Sequence, residues 1–389
     1  MPRQTSYPVI DSDSHISLDP AVWERYLDPE FRYHPGRPRF TKENGLTYFE
    51  FGRLCFPRRG VTITYTTPSG MGPGPRGGLD PHFRMTDYLE PEGIDRGLLF
   101  PGRLAFVAYC GNRELGSAVA RAYNDWLAAF CRPYPDRLFG IGVLNAADPP
   151  AAIAEMRRCV FDLGFPAVFL TPHFVGRTAA ESYSAHDEWY YPIYEAAAAI
   201  GVPICFHAFA RPHVPGYDQH WPSVNFFAND VLGFPFEGML TFASLVAGGV
   251  CEQFPTLKLG IFEASLGWVP MVLDRMHERL ELFPGLAQAY APLLKLRPEE
   301  YLQRQIWFGF EPEDAFVPQF IAATGAANRV LFSGDYPHLD YVHGKAVRSL
   351  LDRDDLTEPQ KRQALFDNAL EFFRWQDTAV GRPAAVATG

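Results

Sequence analysis

The feature that most constrains this chain is an alternation: short β-branched, apolar runs are followed by longer stretches with apolar residues at helical spacing. A strand followed by a helix, repeated, builds a parallel sheet with helical crossovers. Eight short runs occur: PVIDSD from Pro8, DRGLLFP from Asp95, RLFGIGVLN from Arg137, AVFLTP from Ala167, VPICFHA from Val202, LKLGIFEA from Leu257, QIWFGF from Gln305 and RVLFSGD from Arg329. Eight is the number a closed (β/α)8 TIM barrel requires. The stretch 148–164 opens on Asp-Pro, carries apolar residues at helical period and ends in Gly, which reads as a crossover helix. Stretches 187–201, 236–255, 268–283 and 357–375 read the same way and predict further helices of the outer ring.

At 389 residues the chain exceeds the roughly 250 of one barrel, so residues 1–380 are expected to form a single barrel carrying insertions. Two regions break the rhythm, both in βα connections, where a barrel keeps its functional loops. Residues 30–84 include FTKENGLTYFEFG and the Gly/Pro-rich TTPSGMGPGPRGGLDP, which predicts a small β-ribbon cap inserted after strand one. Residues 209–235, rich in aromatics, Pro and His, predict a long loop after strand five. Residues 381–389 read as a frayed tail.

The formal net charge is -10, and neither Lys nor Arg forms a basic run, which argues against nucleic-acid and anionic-membrane partners and for a small-molecule substrate. Six cysteines lie far apart without a CxxC pair, as expected in a reducing cytosol. No apolar signal core follows the N-terminal basic residue, and no stretch reaches the ~20 apolar residues of a membrane span. A soluble, cytoplasmic protein is expected.

Candidate chemistry lies at the strand ends. Asp13 and His15 are two apart on a strand, so a period of two turns both to one face. His207 ends the apolar run VPICFH, and Asp335 ends RVLFSGD in the same way. Each has an ordinary alternative: turn polarity for the pair, a core imidazole for His207, a helix cap for Asp335. Their shared placement at the mouth of one barrel favours a divalent metal that accepts N and O donors, zinc ahead of manganese or iron. His338 stands close enough to orient Asp335 or to reach the site. His173 and Arg177 after strand four are candidates for binding a substrate carboxylate, Arg by its bidentate fork. His213, His220, Trp221, Phe226 and Phe227 are candidate pocket walls in the loop after strand five.

Whole segments of the chain also resemble a known family. IDSDSHISLDPAVWERYLDPEFR, YLEPEGIDRGLLFP, YNDWLAAFCRPYPDRLFGIGVLNAADP, DLGFPAVFLTP, VPICFHA, VCEQFPTLKLGIFEASLGWVPMVLDRMHE and VLFSGDYPHLD resemble, in order, the amidohydrolase superfamily, in the amidohydrolase 2 branch related to aminocarboxymuconate semialdehyde decarboxylase. The resemblance implies that Asp13 takes the place of the first His of the family's HxH motif and His15 the second. It implies that His207 is the strand-five metal ligand, that Asp335 is the strand-eight ligand, and that the protein is a homodimer. It departs at strand six, where the decarboxylase has a catalytic His and this chain has Glu263. Glu263 is therefore expected to act as a second general acid/base or a carboxylate near the metal, with a bond to the following Gly-Trp backbone as its structural alternative.

Two reactions compete. A metal lowers the pKa of bound water from about 16 toward 7, which with Asp335 and Glu263 as proton carriers gives hydrolysis of an ester, lactone or amide of an aromatic or unsaturated acid. The alternative is non-oxidative decarboxylation of such an acid, with Asp335 protonating the carbon that loses CO2. The missing strand-six His places hydrolysis first at this stage. A non-catalytic binding barrel is a remote third reading.

Overall fold

The computed structural model describes residues 4–19, 21–43, 46–52, 54–56, 76–175, 181–208, 226–285, 294–338 and 345–375. Eight strands form one sheet: β1 Ile10–His15, β2 Arg96–Phe100, β3 Leu138–Leu144, β4 Ala167–Leu170, β5 Ile204–His207, β6 Leu259–Phe262, β7 Ile306–Phe310 and β8 Val330–Phe332. They neighbour one another in chain order, and every ladder is parallel. With helices in the crossovers this is the expected (β/α)8 barrel.

Each expected strand is present. Around them run α1 Arg113–Cys131, α2 Pro149–Phe161, α3 Tyr191–Ile200, α4 Phe226–Val246, α5 Val269–Leu282, α6 Pro298–Gln305 and α7 Val317–Thr324. The sequence signals for α2 act as read: the Asp148 side chain accepts from Ala151 N–H, and Pro149 occupies the first turn. The stretch 236–255 differs from expectation. Its helix starts earlier, at Phe226, and stops at Val246, because Gly248 and Gly249 follow and Gly249 adopts φ 83°. In the span expected to form the cap, strands Arg39–Glu43, Leu46–Phe51 and Leu54–Phe56 make a three-stranded antiparallel sheet. Residues 57–75, most of the loop after β5 and the C-terminal tail lie outside the described residues. Among the described residues no helix is long and apolar enough to cross a membrane.

The barrel interior is filled from alternate positions of its strands. Ile10, Leu98, Phe100, Phe139, Ile141, Ala167, Phe169, Cys205, Phe262, Trp307 and Leu331 form one buried cluster, which Phe366, Phe372, Phe373 and Trp375 of the C-terminal helical segment join. Gly309 on β7 makes room for this filling, since a Cβ there would lie 2.5 Å from the Phe262 ring.

β1 carries a device that its sequence conceals. Ile10 pairs with Arg96 and Asp11 with Gly97, but Ser14 pairs with Leu99 and His15 with Phe100, so β1 holds one more residue than β2 over this stretch. That bulge switches the side-chain parity. Ile10 joins the interior cluster at the lower end, and His15 still faces inward beside Phe100 at the upper end, with ring centroids 6.3 Å apart.

No ladder joins β1 to β8. Instead Asp335 N–H donates to the Asp13 carbonyl at 3.0 Å and His15 N–H to the Tyr336 carbonyl at 2.6 Å. The Asp11 carboxylate accepts from Gly334 N–H at 2.9 Å and from the Tyr88 hydroxyl at 2.8 Å. Arg84, fully buried, donates to the carbonyls of His15 and Tyr336 and lies 5.0 Å from the centroid of the Tyr336 ring. The insertion thus returns to the barrel by tying its closing seam. Arg84→Ala leaves a cavity and removes donors to two buried carbonyls, so urea unfolding is expected to show a loss of about 2–4 kcal/mol; a loss below about 1 kcal/mol would show that the seam holds without it.

Candidate metal centre

The expected ligand residues meet at the C-terminal mouth of the barrel. From β1, the Asp13 Oδ1 lies 3.6 Å from His15 Nε2. From the end of β5, His207 Nε2 lies 3.6 Å from Asp13 Oδ2. From the turn after β8, Asp335 Oδ1 lies 3.0 Å from His15 Nε2. Glu263, directly after β6, brings Oε2 to 3.0 Å from His207 Nε2 and 3.9 Å from His15 Nε2. Donor atoms of Asp13, His15 and His207 form one compact group within 4.8 Å, and those of His15, Glu263, Asp335 and His338 form a second that shares His15.

Local structure fixes each side chain. The His207 Nδ1–H donates to the Ala208 carbonyl at 2.7 Å, which leaves Nε2 as the nitrogen facing the carboxylates. The Phe100 ring sits beneath it at 5.3 Å, and Phe262 packs on Phe100 at 4.8 Å. Glu263 and Asp335 both adopt the left-handed conformation, each with φ 51°. For a residue with a Cβ this costs roughly 1–2 kcal/mol, and such strain is retained where the surroundings impose it, commonly at functional sites. His338 completes the group: its Nδ1 is 2.8 Å from Asp335 Oδ1, its ring stacks on His15 at 4.0 Å, and its side chain is 41% exposed.

The turn that follows Glu263 has anchors of its own. Asp314 accepts from Leu266 N–H at 2.9 Å and from the Ser265 hydroxyl at 3.1 Å, while Trp268 Nε1–H donates to the Ala264 carbonyl at 2.7 Å. Glu263 itself turns toward His207 and His15.

Charge is crowded here. Burial would lower the His207 pKa, but Asp13 and Glu263 outweigh it and hold it well above the ordinary imidazole value. Burial, joined by His338, pushes His15 down to about 4. Burial would raise Asp335, yet His338 and His15 hold it well below the usual carboxylate range. Burial, with Asp335 beside it, pushes Glu263 up to about 7. Glu311, the first residue after β7, is raised well above its ordinary value by burial and by Asp335 and Glu263.

Glu311 was missed in the sequence, although the rule that found His207, the first polar residue ending an apolar strand, applies to IWFGFE. His173 is buried at the start of a short hairpin after β4, where its carbonyl accepts from the Tyr109 hydroxyl, and it is not part of either compact donor group. Arg177, His213, His220 and Trp221 lie outside the described residues, as do the side chains of Phe226 and Phe227.

The residues suit a divalent cation on one observation above all. Asp13 is fully buried, and neither of its carboxylate oxygens makes a hydrogen bond among the described residues. A buried carboxylate left so is costly unless a cation satisfies it.

Residues 10–375 match the family model described as amidohydrolase. The chain belongs to this amidohydrolase family. It is an enzyme of the superfamily that contains hydrolases and carboxy-lyases, as its resemblance implied. Among similar proteins is the 2-amino-3-carboxymuconate-6-semialdehyde decarboxylase of Dictyostelium discoideum, 25% identical over 298 residues that cover 75% of this chain and 76% of that one. A γ-resorcylate decarboxylase of a Polaromonas species is 22% identical, over 76% of this chain and 88% of that one. The solved structure of a Polaromonas dihydroxybenzoic acid decarboxylase, with bound manganese and the inhibitor 2-nitroresorcinol, superposes with a TM-score of 0.65 at 18% identity, over 95% of this chain and 97% of that one.

His207→Ala in this amidohydrolase removes a nitrogen donor from both nearby carboxylates. Elemental analysis after metal loading is expected to show at least about a tenfold loss of metal affinity with the circular dichroism spectrum unchanged. Full metal content in the variant would remove β5 from the site.

Proposed function

We propose that this amidohydrolase is a metal-dependent, non-oxidative decarboxylase of a small aromatic or unsaturated carboxylic acid. The single observation that carries the reading is the chain of contacts His15–Asp335–His338, in which a buried carboxylate at the mouth lies 3.0 Å from an imidazole of the donor group on one side and 2.8 Å from an imidazole that reaches solvent on the other. Decarboxylation needs a proton delivered to one carbon and otherwise only substrate binding.

Asp13, His15, His207 and Asp335 would hold one divalent ion. When bound, that ion supplies a positive centre for the substrate's oxygens and for the charge that develops as CO2 departs. The chain's own residues do the rest. His338 Nδ1 relays a solvent proton to Asp335 Oδ1, which passes it to the substrate carbon. The bond to the carboxyl carbon breaks, its electron pair stays on the substrate, and a C–H bond forms there, so no oxidant or reductant is required. Phe100 and Phe262 floor the site and exclude water from below.

Hydrolysis, placed first on the sequence, rested on the absent strand-six His alone. The decarboxylases named among the relatives tip the balance to the alternative. Manganese moves ahead of zinc for the same kind of reason, since the solved decarboxylase holds manganese and the carboxylates of Asp13, Glu263, Asp335 and Glu311 crowd this mouth.

The test is a panel of hydroxybenzoates and unsaturated diacids, with aryl esters and lactones beside them, assayed on manganese-loaded protein for CO2 and for ester cleavage. CO2 release is expected, and His338→Gln should lower kcat by about 10²-fold with metal content intact. Ester or lactone turnover with no CO2 from any acid would return the reading to hydrolysis.

A further inference from the structure

Asp13 and Glu263 address the same two nitrogens. Asp13 oxygens lie 3.6 Å from His15 Nε2 and 3.6 Å from His207 Nε2. Glu263 Oε2 lies 3.9 Å and 3.0 Å from the same two atoms. Glu263 directly follows β6, where the resemblance places a catalytic His and where the sequence predicts a general acid/base or a carboxylate near the metal.

The hydrogen-bond roles sharpen the point. His207 commits its Nδ1–H to the Ala208 carbonyl, so in the neutral ring Nε2 bears a lone pair. That lone pair faces a carboxylate oxygen of Glu263 and another of Asp13. One proton on Nε2 can point at only one of them; a cation placed among the three atoms satisfies all of them at once.

Spacing agrees. Metal–donor bonds of about 2.1 Å put adjacent donors about 3.0 Å apart in an octahedral shell and about 3.4 Å apart in a tetrahedral one. Leaving His338 aside, the shortest pairs are His15 with Asp335 and His207 with Glu263, both at 3.0 Å, and the two pairs to Asp13 are longer at 3.6 Å. Glu263 and Asp335 also share a left-handed backbone, with φ 51° at each.

We infer that Glu263 is a direct ligand of the divalent metal, completing with Asp13, His15, His207 and Asp335 a shell of two nitrogens and three oxygens. The inference rests on the metal reading of the site given above. Its consequence is selectivity. Five protein donors exceed what a tetrahedral zinc site accepts, and an oxygen-rich octahedral shell suits manganese. An octahedral ion would keep one position for a substrate oxygen, and the three carboxylates would leave the loaded centre with a single net negative charge.

Binding of Mn(II) and Zn(II) to the metal-free full chain should be measured by titration calorimetry for wild type, Glu263→Gln and His207→Ala, with the Mn(II) electron paramagnetic resonance spectrum recorded for each loaded form. Glu263→Gln is expected to weaken Mn(II) by at least about tenfold, to weaken Zn(II) less, and to change the Mn(II) spectrum. If Glu263→Gln binds Mn(II) within twofold of wild type with an unchanged spectrum, while His207→Ala loses it, the inference is overturned and the metal site stands. If wild type binds neither ion, the metal reading fails and the inference with it. Should Glu263→Gln not fold, a crystal structure of the manganese-loaded wild type decides: a Glu263 oxygen about 2.1 Å from the ion supports the inference, and one beyond the contact distance of the other four ligands overturns it.

Discussion

The seam between the first and last strands is the constraint on which the site depends. Asp335 N–H to the Asp13 carbonyl and His15 N–H to the Tyr336 carbonyl close the barrel where no ladder does. The same two bonds set β1's donor pair beside the strand-eight carboxylate, so closing the fold and assembling the centre are one event. Arg84 and the Asp11–Tyr88 contact brace the seam from behind. A protein that loosened here would draw Asp13 and His15 away from Asp335.

Electrostatics then explains why the mouth looks as it does. Asp13, Glu263, Asp335 and Glu311 gather at one end of an apolar barrel, with His15, His207 and His338 set among them. Asp13 and Glu263 raise the proton affinity of His207, and burial raises that of Glu263 and Glu311. A divalent ion bound here would compete with protons for the same atoms, so metal loading and the protonation of the site would be linked.

Much of this was legible in the sequence. Eight apolar runs announced eight strands, because strands buried on both faces read as near-continuous hydrophobic stretches. His207 and Asp335 were visible as the polar residues ending two of them. Asp13 and His15 were correctly placed on one face by their spacing, but the bulge that turns that face inward was hidden, since nothing in IDSDSH marks the extra residue. Arg84 was illegible for a different reason: its partners are backbone carbonyls at His15 and Tyr336, far away in sequence, and a carbonyl leaves no residue-type signature. Glu311 obeyed a rule already in use and was overlooked.

The barrel-mouth side chains should bind one divalent ion per chain. Elemental analysis of the full-length protein, stripped of metal, reloaded with Mn(II) and desalted, tests it most directly. One equivalent per chain in the wild type, lost when Asp13 and His207 are replaced by alanine together, is the expected result. Wild-type protein that is folded and retains less than about a tenth of an equivalent would contradict the account.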